Sequence, residues 1–179
     1  MRIISGNHKK RQIIAPQNLP VRPTTDLAKE SIFNIINNYF FFENIKVLDL
    51  FAGTGNITYE FASRGALSII SVDNHPACTA FIHKIITKLA FDNVHIIQTD
   101  VVSFLQSCKQ QFNIIFADPP YDWDSFPILP ELVFSGTLLS ENGFLIIEHP
   151  SRINYEKHPK FYEHRKYGKV NFSLFAENL

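Results

Sequence analysis

The chain has 179 residues, 45% of them hydrophobic, with 17 basic and 17 acidic side chains and no net charge at neutral pH. That length and apolar share suffice for one buried core and exclude a disordered chain, so a single domain over residues 1–179 is expected, with no repeat or low-complexity tract to divide it. No run of about 18 apolar residues and no secretory leader is evident, which predicts a cytoplasmic protein without membrane association.

The neutral total conceals a division. Residues 1–25 carry Arg2, Lys9, Lys10, Arg11 and Arg22 and no acid, a charge of +5; residues 150–179 carry +3, and the stretch between them −8. Phosphate contacts require Lys and Arg, so both basic ends suit a nucleic acid, although a solvated charge run is the plain alternative. Lys9, Lys10 and Arg11 stand between β-like runs at residues 2–5 and 12–15, which predicts a basic β-hairpin able to straddle phosphates.

Next in the chain, Thr24, Thr25 and Asp26 can cap a helix to about Tyr39 whose apolar face is Ile32, Phe33, Ile35, Ile36 and Tyr39. This divides the domain into a basic N-terminal arm, residues 1–25, and a catalytic core, residues 26–179. Residues 46–50 read as a buried strand carrying Asp49, followed by the turn Phe51-Ala52-Gly53-Thr54-Gly55 and a helix over 57–63. A strand over 68–72 ends at Asp73, and Asn74-His75-Pro76 opens a helix to about residue 89. A strand over 94–98 is followed by Asp100, placed to cap a helix over 101–108. A strand over 112–117 runs into Asp118-Pro119-Pro120-Tyr121. A helix over 126–134, a strand over 143–148 and a hairpin of 162–166 with 170–175 around Gly168 complete the chain. Strand and helix alternate, which predicts an α/β fold with a parallel sheet and helices on both faces.

The acids at the strand ends carry the chemistry. Prolines 119 and 120 hold φ near about −65° and Pro119 cannot donate to a ladder, so the strand must stop at Asp118. In an open α/β sheet, ligands bind at the carboxyl ends of strands. An acid after the second strand resembles a ribose-binding Asp, yet the glycine turn lacks the third glycine of a dinucleotide phosphate cradle. A nucleoside without phosphates is implied, and S-adenosyl-L-methionine fits that description. An exocyclic amine on a purine is a weak nucleophile because its lone pair is delocalised into the ring. Asp118 and the Pro119 carbonyl would accept its two protons, localise the lone pair and stabilise the developing positive charge. Tyr121 would stack on the base, which has to be unpaired or flipped out to arrive there. For Trp123 and Phe126, a wall of the base pocket and core packing are both open.

Asp49 through Gly55 with Asp73, Asp100 and Asp118-Pro119-Pro120-Tyr121 resembles a class I S-adenosylmethionine-dependent methyltransferase acting on an amino nitrogen. Met1 to Gly6, Arg22-Pro23-Thr24-Thr25-Asp26, Lys29-Glu30, Phe33-Asn34 and Ser63-Arg64-Gly65-Ala66 are similar to the small bacterial 16S rRNA guanine-N2 methyltransferases of the RsmD family. The chain departs from that pattern at His83-Lys84, where the family usually carries an Asn, and in its short C-terminal strand pair.

The resemblance implies a Rossmann-like class I fold: a mainly parallel seven-stranded sheet, completed by the terminal hairpin, plus the N-terminal β-hairpin arm and helix. It implies that Asp49 and Gly53 to Gly55 bound the methionine part of the cofactor, Asp73 holds ribose hydroxyls and Asp100 sits near the adenine edge. Phe51, Ala52, Asn74 and Val101 complete the expected cofactor set. Catalysis falls to Asp118, Pro119, Pro120 and Tyr121, and RNA contact to Arg2, Lys9, Lys10, Arg11, Arg22, Thr24 and Thr25. The expected partner is 16S rRNA in the small ribosomal subunit, and the expected state a monomer. The seven histidines show no metal-ligand spacing, so no metal is expected. Two other functions remain compatible with the residues: a DNA adenine-N6 methyltransferase, because Asp-Pro-Pro-Tyr serves both bases, and a non-catalytic RNA-binding module. The short chain, with no evident domain for reading duplex sequence, disfavours the first.

Overall fold

The computed structural model describes residues 1–16, 19 and 25–177. Arg22 and Thr24, two of the expected RNA contacts, lie outside the described residues. Thr25 caps α1 (Asp26–Tyr39), its hydroxyl accepting from the Ala28 amide. Ala28, Lys29, Ile32, Phe33 and Ile36 are the buried stripe, so the expected face is present but includes a lysine. Tyr39 is exposed, its ring edge-on to Phe144 and its hydroxyl 3.0 Å from that of Tyr162.

Strand and helix then alternate as β1 (Lys46–Leu50), α2 (Asn56–Ser63), β2 (Ser68–Asp73), α3 (Pro76–Leu89), β3 (Val94–Gln98), α4 (Val101–Ser107), β4 (Phe112–Ala117), α5 (Ile128–Ser135) and β5 (Leu139–His149). The terminal hairpin is β6 (Phe161–Tyr167) and β7 (Val170–Ala176), turning at Gly168. Among the described residues these strands form one seven-stranded sheet in the order β3-β2-β1-β4-β5-β7-β6, with β7 antiparallel to β5 and to β6.

Alternation along each strand divides the core. Val47, Ile69, Ile114, Phe116, Phe144 and Ile146 face α1, α2 and α3, whereas Leu48, Leu50, Ile70, Val72, Ile115, Ala117, Leu145 and Ile147 face α4 and α5. Period-two burial on both faces is what near-continuous apolar strands require in a sheet covered on both sides. The chain runs outward from β1 to β3 on one side and from β4 to β6 on the other. The sheet therefore switches direction between β1 and β4, and the crevice outside their carboxyl ends is the natural ligand position.

The N-terminal arm is the expected hairpin, a short one docked on a helix. Arg2 and Gln12 form an antiparallel bridge, flanked by the Ile3 amide on the Arg11 carbonyl, the Ile13 amide on the Met1 carbonyl and the Lys10 amide on the Ile3 carbonyl, while the next amides turn to a helix. The amides of Ile4 and Ser5 donate to the two carboxylate oxygens of Glu60 on α2, at 2.8 and 3.0 Å. Gly6 packs so closely on α2 that a Cβ would stand 1.7 Å from the Ser63 carbonyl oxygen. Only glycine tolerates that approach at its φ of +80°. Ile3 and Ile13 are buried in the core, so the arm is docked along α2 rather than free.

Candidate active site

The β1–β4 switch opens into a cleft of about 650 Å³. Its floor begins where β1 ends. Phe51 adopts φ +58°, and Gly53 and Gly55 follow at +55° and +79°, giving a turn that the Ala52 amide ties to the Val72 carbonyl of β2. A Cβ on Gly55 would meet the Tyr59 ring at 2.5 Å, so this glycine is required both by conformation and by approach. Asp73, at the end of β2, holds the same turn: its carboxylate accepts from the Gly53 amide at 2.7 Å and from the His75 amide at 2.8 Å.

Asp49 lies beneath the turn, buried, and accepts a hydrogen bond from the Thr58 hydroxyl, which is also bonded to Ser71. Burial pushes its carboxyl up to about 7, against the downward pull of its Thr58 hydrogen bonds. Cys78 closes the wall behind Asp73; burial, then the Asp73 charge, push its thiol up to about 11, so it stays neutral and unreactive. Asp100 lines the cleft and also caps α4, accepting from the Ser103 amide at 2.9 Å.

The opposite wall is the end of β4. The Asp118 amide reaches back to the Leu50 carbonyl of β1 at 3.4 Å, which keeps the two strand ends together. The segment from Asp118 to Tyr121 lines the cleft, and its turn is closed by the Trp123 amide donating to the Pro120 carbonyl at 2.8 Å. Arg152 donates to the Tyr121 carbonyl at 2.6 Å, and the Tyr121 hydroxyl donates to Glu148 at 3.3 Å. Trp123 lines the cleft, edge-on to Phe51, whereas Phe126 is fully buried core. Phe126 is thus core packing, and Trp123 packs on that core while bordering the cleft.

Of the expected cofactor set, Asp49, Phe51, Ala52, Gly53, Thr54, Asp73, Asn74, Asp100 and Val101 line the cleft, and Gly55 shapes its floor. Thr25 reaches it too. Arg2 is paired with Asp26 on the surface, at 3.2 Å. Lys9, Lys10 and Arg11 are exposed at a turn whose Asn7 and His8 amides bond to Ser63 at the far end of α2. That places the basic turn about 12 Å from the cleft, one helix length away. His83 and Lys84 are exposed on α3 and do not line it. Among the described residues no group of acids, histidines and cysteines could hold a metal ion, and no helix is long and apolar enough to cross a membrane.

Sequence reading missed Asn56; Glu148, at the end of the strand expected over 143–148 and so placed to face the site without an assigned catalytic role, lines the cleft with it. Asn56 opens α2, and its side-chain oxygen accepts from the buried Lys29 ammonium at 2.8 Å. Glu148 carried a usable signal: it follows an apolar strand run just as Asp118 does.

The family model described as conserved hypothetical protein 95 matches residues 1–176. Ribosomal RNA small subunit methyltransferase D of Buchnera aphidicola subsp. Baizongia pistaciae is 31% identical over 98% of this chain and 91% of that one. The chain belongs to this family, the RsmD-type methyltransferases. A hypothetical protein of Thermus thermophilus shares the RsmD-type fold at a TM-score of 0.86 and 22% identity, covering 98% of this chain and 99% of that one. A 16S rRNA N2 G1207 methyltransferase of T. thermophilus, RsmC, in complex with AdoMet and guanosine, has the same core at a TM-score of 0.69 and 20% identity. It covers 88% of this chain and 45% of that one, a likeness of fold alone.

Proposed function

We propose that the chain transfers a methyl group from S-adenosyl-L-methionine to the exocyclic N2 amine of a guanine in 16S rRNA, acting on the small ribosomal subunit in the cytoplasm. The observation that carries this reading is one cleft shared by the glycine turn, the strand-end acids and Asp118 to Tyr121. Kinship with RsmD supports the RNA class. We propose that the chain acts as a monomer.

The residues fit the methyl donor. The glycine turn, the strand-end acids and Asn74 give the cleft backbone and carboxylate groups suited to a nucleoside and an amino-acid end, with no phosphate cradle. Asp73 would take ribose hydroxyls on the lone pairs its two amide bonds leave available. Asp49 and the turn would border the cationic end, with Asp100, Asn74 and Val101 at the base. Bound there, S-adenosylmethionine supplies an electrophilic methyl on sulfur. Asp118 and the Pro119 carbonyl then hold the guanine amine by its two protons, which turns the nitrogen lone pair outward. Asp118 would stabilise the positive charge on nitrogen as its bond to the methyl carbon forms and the carbon–sulfur bond breaks, the bonding pair leaving with S-adenosylhomocysteine; one amine proton would then pass to Asp118 and on to water. Tyr121, Trp123 and Phe51 supply aromatic surface against the base.

Because Asp49 is held near neutrality, a cation bound beside it draws the carboxylate out. Affinity for S-adenosylhomocysteine is expected to rise with pH, by up to about tenfold per unit, below about pH 7 and to level off above. Asp49→Asn should flatten that profile in calorimetry.

Replacing Lys9, Lys10 and Arg11 together with Gln should raise the KM for small subunits and reduce the salt slope of binding by about two, with cofactor affinity unchanged. Transfer of labelled methyl to small subunits from a strain lacking the modification tests the reading. Label in RNA supports it, label only in DNA contradicts it, and binding without transfer would favour a non-catalytic module.

A further inference from the structure

Asp118 has a counterpart on the neighbouring strand. Parallel pairing of β4 with β5 sets Ala117 opposite Ile147, so the next residues, Asp118 and Glu148, stand at one level on strands about 4.8 Å apart. Ala117 and Ile147 both point into the core beneath α4 and α5. Side chains alternate along a strand, which turns Asp118 and Glu148 together toward the opposite face, where Asn56 and Val170 also line the cleft. Glu148 is 4% exposed, and Tyr121 of the same cleft donates to one of its oxygens. Glu148 therefore lines the cleft beside Asp118, with Tyr121 as one of its donors.

Guanine presents donors in the matching order. Its Watson–Crick edge carries the N2 amine beside the N1–H, whereas adenine carries at N1 only a lone pair. With Asp118 on the amine, the neighbouring N1–H falls to the neighbouring acid. We infer that Glu148 is the base-selecting residue, accepting N1–H of guanine and repelling N1 of adenine, with Tyr121 orienting its carboxylate. This rests on the guanine-N2 reading above and supplies the selectivity that Asp118 alone lacks, since an exocyclic amine is common to both purines. A site built to bond a particular donor discriminates strongly against a base without it.

Trp123, the chain's one tryptophan, lines the cleft and reports occupancy by fluorescence. With S-adenosylhomocysteine saturating, guanosine should bind the wild type at least about tenfold more tightly than adenosine. Glu148→Gln should bring the two affinities within about threefold, because the amide can donate to adenine N1 as well as accept from guanine N1–H. Tyr121→Phe, which keeps the ring, should narrow the ratio partially, and S-adenosylhomocysteine affinity should be unchanged in both variants. A guanosine preference that persists in Glu148→Gln overturns the inference and leaves the guanine reading standing. A wild type that prefers adenosine overturns the guanine reading itself.

Discussion

Asp118→Ala is expected to lower the rate of methyl transfer by about 10²- to 10³-fold or more while cofactor affinity stays within about twofold. The carboxylate lies at the end of β4, across the switch point from the glycine turn and Asp73, so its removal leaves the proposed cofactor contacts intact. What is lost is an acceptor for the amine, and with it both the orientation of the lone pair and the charge that stabilises nitrogen as it becomes positive. Asp118→Asn should fall between the two, since one amide oxygen still accepts but carries no charge. Single-turnover rates with small subunits, together with calorimetric titration of S-adenosylhomocysteine, separate the effects. Unchanged turnover in Asp118→Ala would remove this carboxylate from the chemistry.

Glu60→Ala is expected to cause the largest loss of stability, about 3–5 kcal/mol, because it strands a buried cation. Glu60 and Lys29 are both fully buried. The carboxylate accepts from the Ile4 and Ser5 amides and from Arg64, and lies 3.4 Å from the Lys29 ammonium. Lys29 in turn donates to the Arg2 carbonyl at 2.6 Å and to Asn56 in the cleft. Burial pulls the Lys29 pKa below its ordinary value, with Glu60 the main group opposing that pull. Without Glu60, two amides of the arm lose their acceptor and Lys29 its counter-charge. The melting temperature should drop by roughly 6–20 °C, and residues 1–15 should become open to proteolysis. A melting point within about 2 °C of the wild type would show that the arm is held by its apolar contacts, Ile3 and Ile13, instead.

The alternation of strands and helices was legible because each apolar run ended at an acid, a glycine turn or a proline. Such endings are local chemistry, and Thr25 capping α1, Asp100 capping α4 and Gly168 turning the last hairpin follow from them directly. Strand order was legible only through the family resemblance, since pairing between β1 and β4 joins residues far apart in the chain. The hairpin of the arm was legible from its strand-like runs, but its docking was not: the Ile4 and Ser5 amides and the Arg2 carbonyl bond to Glu60 and Lys29 on helices that no local pattern connects to them. Lys29 and Glu60 were hidden because helical periodicity marks which positions face inward without telling when a charge sits there with a partner. Within the cleft the acids and glycines were legible, while Asn56 was not, because its position at the start of α2 acquires meaning only once Lys29 is seen behind it.

The proposed substrate of this cleft is a guanine amine. Small subunits methylated by the wild-type protein, digested to nucleosides and resolved by mass and retention against standards, test it most directly. N2-methylguanosine is the expected product, and it should be absent with Asp118→Ala. Methyl groups recovered on adenosine, or on a ring nitrogen of guanosine, would contradict it.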